Sequence, residues 1–353
     1  MKLAPLGRLD EPGRVLFAAL SGEALCVMVG RVDATVLLCL RLGGRRAHTL
    51  WRQPLSHAPG AALSLWAAEN AVGVVAGRLR RVFSLADGRV LAKAQGNPPI
   101  AAVALEGNRV TLPTASGIER LEADTLVSSA IQLDPGESVA GGAGAGFVPV
   151  AGRSGRALLR LSDGARWALP EAAVPCGLGA ASDGTRVALP LGRAGRAASA
   201  LVVLSDGQLG WRSDLLGDVD PETLPALPLV VDEGVVFAAG AGRVIEARTL
   251  DEGTALWASP LGVPATALAV AAGIAWVGCG DGTLTAFDAF AGERIGTRSV
   301  RTRPGLLSAR REAIDAAEHP VWLGVFDGGL LCACRLGALW HATSRPVVTG
   351  ADA

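Results

Sequence analysis

Cys332 and Cys334 form a Cys-x-Cys pair whose thiolates would hold a soft metal if two further ligands converged on them. The sequence offers no such ligands, and both cysteines stand in an apolar run, where a free thiol packs as a small hydrophobe. Gly278, Gly280 and Gly282 make a glycine run that suits a phosphate cradle only when a long helix comes directly after it. The next residues are TLTAFDAF, a strand pattern, so the glycines read as a turn. The four histidines, His48, His57, His319 and His341, accompany no Gly-x-Ser-x-Gly nucleophile motif and are expected in solvated loops. Asp214, Asp218, Asp220 and Glu222 offer oxygen ligands for calcium without the spacing of an EF-hand, and a solvated loop is expected there. Arg298, Arg301, Arg303, Arg310 and Arg311, with Arg294, make the strongest local charge asymmetry. They are the candidate partner-binding residues, for an acidic protein surface. The competing role is a basic sheet edge that discourages aggregation. No residue is assigned to catalysis, to a cofactor or to a metal.

The whole-chain balance narrows the classes further. With 33 Lys+Arg against 33 Asp+Glu the formal net charge is zero, which disfavours nucleic acid and anionic membrane surfaces as partners. Half of the 353 residues are apolar, enough to bury a large core. Six cysteines show no compact disulfide framework, and a reducing, cytoplasmic setting is expected. The segment VLFAALSGEALCVMV (15–29) has the greasiness of an export signal. Asp10 and Glu11 precede it and Glu23 interrupts it, so it reads as two strands joined at SGEA. No apolar run reaches the roughly 20 residues of a membrane helix, and no membrane insertion is expected.

These residues must be positioned by strands. Helical periodicity is confined to short stretches such as 306–320. Elsewhere apolar runs of four to eight residues alternate with Gly, Asp or Pro breaks, the mark of an all-β chain. The breaks recur at Gly43, Gly88, Asp124, Gly164, Gly207, Gly253, Gly292 and Gly337, with a mean interval of 42 residues. A tight turn between antiparallel strands needs positive φ, which Gly adopts freely and Asp tolerably. A large apolar residue stands three or four residues later at Leu91, Trp167, Trp211, Trp257, Ile295 and Trp340. A period near 42 with four strands per unit predicts a β-propeller. Eight units begin near residues 14, 60, 99, 137, 175, 226, 263 and 310, with seven blades as the alternative. Units three to five are the weakest, with Pro113, Pro149 and Pro190 expected at strand ends. Residues 2–9 are the candidate strand that closes the ring in the last blade.

The pattern Gly-x-Gly-Asp-Gly-x-Leu-x-Ala-x-Asp-x-x-x-Gly at 278–292, with the EGTALW of 252–257, resembles the quinoprotein-type (PQQ-like) β-propeller repeat. The resemblance implies the fold across one 353-residue domain. It also raises a quinone-dependent oxidoreductase; those enzymes typically carry a vicinal Cys-Cys pair and a calcium-binding set of carboxylates in a longer, secreted chain, and no Cys-Cys dipeptide exists here. Fold does not imply activity. The expectation is a non-enzymatic protein-interaction scaffold without cofactor. Its partner would be a protein, an ATPase or a von Willebrand A-type protein of a bacterial multi-component system among the candidates. A periplasmic or outer-membrane assembly scaffold is the alternative.

Overall fold

The computed structural model describes residues 2–30, 34–43, 46–101, 103–153, 155–170, 174–175, 181–183, 185–192, 198–215, 228–239, 243–300, 319–327 and 329–343. Eight antiparallel sheets succeed one another along the chain and form an eight-bladed β-propeller. The first blade comprises Arg14–Ser21, Ala24–Gly30, Thr35–Gly43 and Arg46–Leu55. The seventh comprises Ala265–Ala271, Ile274–Cys279, Thr283–Asp288 and Arg294–Ser299. The second to sixth begin at Leu63, Ala104, Ser138, Val174 and Leu229. The eighth has Pro320–Phe326, Gly329–Cys334 and Ala338–Thr343, and takes its outermost strand, Lys2–Arg8, from the start of the chain.

Packing explains why the inner strands lack polar alternation. Ala71–Ala76, Ile274–Cys279 and Gly329–Cys334 are buried at every residue, because each second strand has a neighbouring blade on both faces. The core is therefore divided into layers between blades. One layer joins Trp276, Leu284 and Ala286 of blade seven to Leu330, Cys332 and Cys334 of blade eight. Another closes the ring, joining Val15, Leu38 and Leu40 of blade one to Leu331 and Leu339 of blade eight, with Leu6 and Leu9 between them. Backbone bonds from Leu9 N to Gly337 O (2.9 Å) and from Val15 N to Arg335 O (2.7 Å) fasten the same seam.

Three details differ from the sequence reading. In blade three the turn residue is Leu126, at φ +59°, and not Asp124. Leu126 N bonds to Glu122 O (3.0 Å) as Gly88 N bonds to Ser84 O (2.9 Å), which fixes the equivalence. Gly337 joins the second and third strands of its blade, whereas the other repeated glycines join the third and fourth. Its counterpart in blade seven is Gly282: each donates its N–H to a cysteine carbonyl three residues back, Cys334 (2.9 Å) and Cys279 (3.0 Å). Trp340 consequently stands in the place of Thr285.

The third difference concerns the prolines. Pro113, Pro149 and Pro190 lie inside second strands, at Arg109–Thr114, Phe147–Gly152 and Arg186–Gly192. The carbonyls of Pro113 and Pro149 accept Ile100 N and Ala140 N from the inner side, so the missing donor also faces inward. The innermost strands shrink accordingly to Ala104–Glu106 and Ser138–Val139. In blade five the inner position is split into Val174–Pro175 and Ala181–Ser182, and the break falls opposite Pro190.

Candidate interaction surfaces

A repeated joint makes the ring rigid. In the outer strands of blades one, two and six the register skips one residue, leaving Leu50, Leu91 and Leu256 as β-bulges. A bulge turns the side chain that comes after it. In blades one and six that residue is Trp51 or Trp257, and in blade five Trp211 comes after a bulge at Gly210. Each indole N–H crosses to the next blade, to Leu85 O (2.9 Å), Ala289 O (3.0 Å) and Leu250 O (2.8 Å) respectively. Each ring lies on a turn glycine, and a Cβ built on Gly88, Gly292 or Gly253 would fall 2.5–2.7 Å from it.

Where the outer tryptophan is replaced, another donor reaches the same carbonyl position. Blade two has Ala92 at that place, and Leu126 of blade three packs in the shared layer with Trp66 of an inner strand. Trp66 Nε1 then donates to Ala123 O (3.1 Å). Between blades three and four Arg120 Nη1 donates to Leu161 O (3.0 Å). The blade two–three boundary is also pinned by Arg80, 2% exposed, whose guanidinium Nη1 donates to Glu119 Oε1 (3.0 Å) while Nη2 bonds Asn97 O (3.2 Å) and Glu119 Oε2.

Because neighbouring strands run in opposite directions, alternate turns gather at opposite ends of the ring. At the end carrying the first–second and third–fourth turns, a groove of about 600 Å³ crosses the closing seam. Leu6, Leu20, Leu42, Val325 and Phe326 line it together with the exposed carboxylates Glu23 and Asp327 and with His341. His341 Nε2 lies 3.2 Å from Phe326 O, and Val325 is 54% exposed. At the opposite end a cleft of about 520 Å³ spans blades three and four and is mainly polar, with Asn97, Thr114, Ser116, Gln132, Glu137 and Ser138 among its walls. Asn97 Nδ2 donates to Ser116 Oγ (2.7 Å), and Arg166 Nε donates to Glu137 Oε1 (2.9 Å). That guanidinium holds the Glu137 carboxyl below its ordinary range.

No family model matches the chain, and no curated protein matches it. Solved structures do. BamB from Moraxella catarrhalis aligns over 98% of this chain and 99% of its own, with a TM-score of 0.63 and 13% identity. Sqt1 from Saccharomyces cerevisiae aligns over 98% and 100%, at 0.69 and 9% identity. The computationally designed Ika8 protein aligns over 96% and 100%, at 0.65 and 16% identity. The likeness is one of fold. The BamB match sets the chain beside a structural neighbour of the repeat type that its sequence resembles, at an identity too low to establish common membership.

The residues singled out by sequence fall in distinct places. Gly280 and Gly282 belong to the turn between the second and third strands of blade seven, where Asp281 Oδ1 accepts Thr283 N (3.0 Å) and Thr283 Oγ1 (2.7 Å). Gly278 lies inside the second strand beneath Pro320 of blade eight, whose Cβ would sit 2.5 Å from an added Cβ. Cys332 and Cys334 are fully buried, with sulfurs 3.9 Å apart, and among the described residues no group of three or more metal-ligating side chains forms. His57 lies 2.8 Å from Thr35 Oγ1, and His319 is partly buried. Arg298 lies on the outermost strand of blade seven, opposite Leu284, with Nη1 donating to Thr297 O (3.0 Å). Arg301, Arg303, Arg310 and Arg311 lie outside the described residues, as do Asp218, Asp220, Glu222 and the stretch 306–318. The seam groove escaped sequence reasoning because Glu23 is separated from Val325 and His341 by most of the chain. Only ring closure brings them together.

Proposed function

We propose that this chain is a non-enzymatic protein-interaction scaffold, which presents loops and grooves on a rigid ring. The observation that supports this reading most directly is the groove across the closing seam. There an exposed apolar surface around Val325 and Phe326 is bordered by Glu23 and Asp327, on strands held by the shared layer of blades eight and one. Exposed apolar surface with a polar rim is what protein partners engage. A cytoplasmic partner such as an ATPase or a von Willebrand A-type protein is the finer form of the proposal. The arginines at 298, 301, 303, 310 and 311 are a second candidate surface, for an acidic partner.

The test is affinity purification from the native cell with mass spectrometry, comparing wild type with Val325→Glu and with the double variant Arg301→Glu/Arg303→Glu. A partner retained by wild type and lost from one variant assigns the surface. Retention by both variants rejects both surfaces. Dye-linked oxidation of an alcohol or sugar after reconstitution with a quinone cofactor would reject the non-enzymatic reading.

A further inference from the structure

Cys26 and Cys39 are register partners on the second and third strands of blade one. Leu42 N donates to Glu23 O (2.8 Å), which makes Glu23 and Leu42 a hydrogen-bonded pair of this ladder. Bonded and non-bonded pairs alternate along antiparallel strands, so Leu25/Leu40 is bonded and Cys26/Cys39 is not. In a non-bonded pair the Cα atoms stand about 4.5 Å apart with their side chains drawn together, inside the roughly 4.4–6.8 Å that a disulfide bridges. Cys332 and Cys334 differ. They are two residues apart on one strand, so their Cα atoms are separated by about 6.6 Å with nearly parallel side chains.

We propose that Cys26 and Cys39 are an oxidative modification site that closes to a reversible cross-strand disulfide under peroxide. The two thiols face each other across the ladder, and their interaction raises the Cys26 thiol and lowers that of Cys39. Cys39 is therefore the attacking sulfur. Its thiolate displaces hydroxide from hydrogen peroxide and becomes a sulfenic acid. The Cys26 sulfur then attacks the Cys39 sulfur, and hydroxide leaves with the proton that Cys26 gives up. Two thiols and one peroxide yield one disulfide and two waters. In the reduced protein Cys39 Sγ also donates to Leu85 O (3.6 Å), the carbonyl that receives Trp51 Nε1. Oxidation withdraws one of two donors from this joint between blades one and two. Both thiols are fully buried, so peroxide enters by local opening and the reaction is slower than at an exposed thiol.

The experiment treats the native full-length chain with hydrogen peroxide, quenches with acid, alkylates in denaturant and maps peptides by mass spectrometry. The expected product is a Cys26–Cys39 linked peptide, lighter by two hydrogens and restored by a dithiol reductant. Cys26→Ser gives no linked peptide. The proposal is overturned if both thiols are recovered fully alkylated after prolonged exposure, if the linkage maps to another pair, or if guanidinium-unfolded chain gives the Cys26–Cys39 link in equal yield.

Discussion

Trp257 and Gly292 form one joint across two blades: the indole lies on the glycine, and its N–H reaches Ala289 O, three residues before that glycine. Gly292 has φ +70°, so both its backbone and the space above it exclude a side chain. Gly292→Ala is expected to destabilise by about 2–4 kcal/mol, combining left-handed strain with overpacking. Gly262→Ala is the control, since Gly262 has φ +82° with nothing within 4 Å of an added Cβ. Its cost is expected to be only about 1 kcal/mol. Urea unfolding of the two variants measures the difference, and equal costs would remove the clash from the account.

The same joint predicts unequal effects of losing an indole N–H. Trp211→Phe leaves the carbonyl of Leu250, a fully buried residue, without its indole donor, at about 1–3 kcal/mol. Trp51→Phe leaves Leu85 O with the Cys39 thiol as donor, so its cost is expected to be smaller. The ordering of the two midpoints in chemical denaturation checks this. A larger loss for Trp51→Phe contradicts the shared-acceptor geometry.

Arg80 and Glu119 predict a different asymmetry. The Arg80 side chain is 2% exposed and that of Glu119 is 24% exposed. Removing Glu119 strands a buried cation, so Glu119→Ala is expected to cost about 3–5 kcal/mol. Removing the cation leaves a carboxylate that water can reach, so Arg80→Met is expected to cost about 1–2 kcal/mol. Thermal unfolding of both variants tests the order. If Arg80→Met costs more, the guanidinium's bond to Asn97 O outweighs its pairing with Glu119.

What the sequence revealed was the part of the fold that depends on single residues. Gly88, Gly164, Gly253 and Gly292 announce their turns because each adopts a φ of 70–75° that few other residues tolerate. The sequence misled where two residues compensate for one another. Leu126 takes the turn in blade three because Ala92, standing where other blades have tryptophan, leaves room for it, and no local pattern reveals such an exchange. Gly337 matched the repeat in text but not in strand order, since the last blade borrows its outer strand from the start of the chain. Partly buried Arg120 and buried Trp66 look like ordinary strand residues until the carbonyls they serve, on Leu161 and Ala123 of the neighbouring blades, are seen beside them.

His319 gives the fold a pH dependence whose sign can be worked out. Its ring is partly buried, Nδ1 has no hydrogen-bond partner among the described residues, and Arg335 lies close by. Burial first, and then the Arg335 charge, push its pKa below the ordinary 6.5. The unfolded chain therefore takes up this proton at a higher pH than the folded ring does. Stability is fully present above 6.5 and falls as pH drops toward the depressed folded value. The carboxylates act in a lower window. Asp163, held at about 2 by Arg160, and Glu137, lowered by Arg166, contribute stability that is lost only as pH falls below the ordinary carboxylate range. His319→Gln should therefore flatten the stability profile between pH 7 and 5 (roughly the window of histidine titration) while leaving the acid limb unchanged. Urea midpoints measured across both windows decide the matter, and an unaltered slope above pH 5 in the variant would assign the titration to another group.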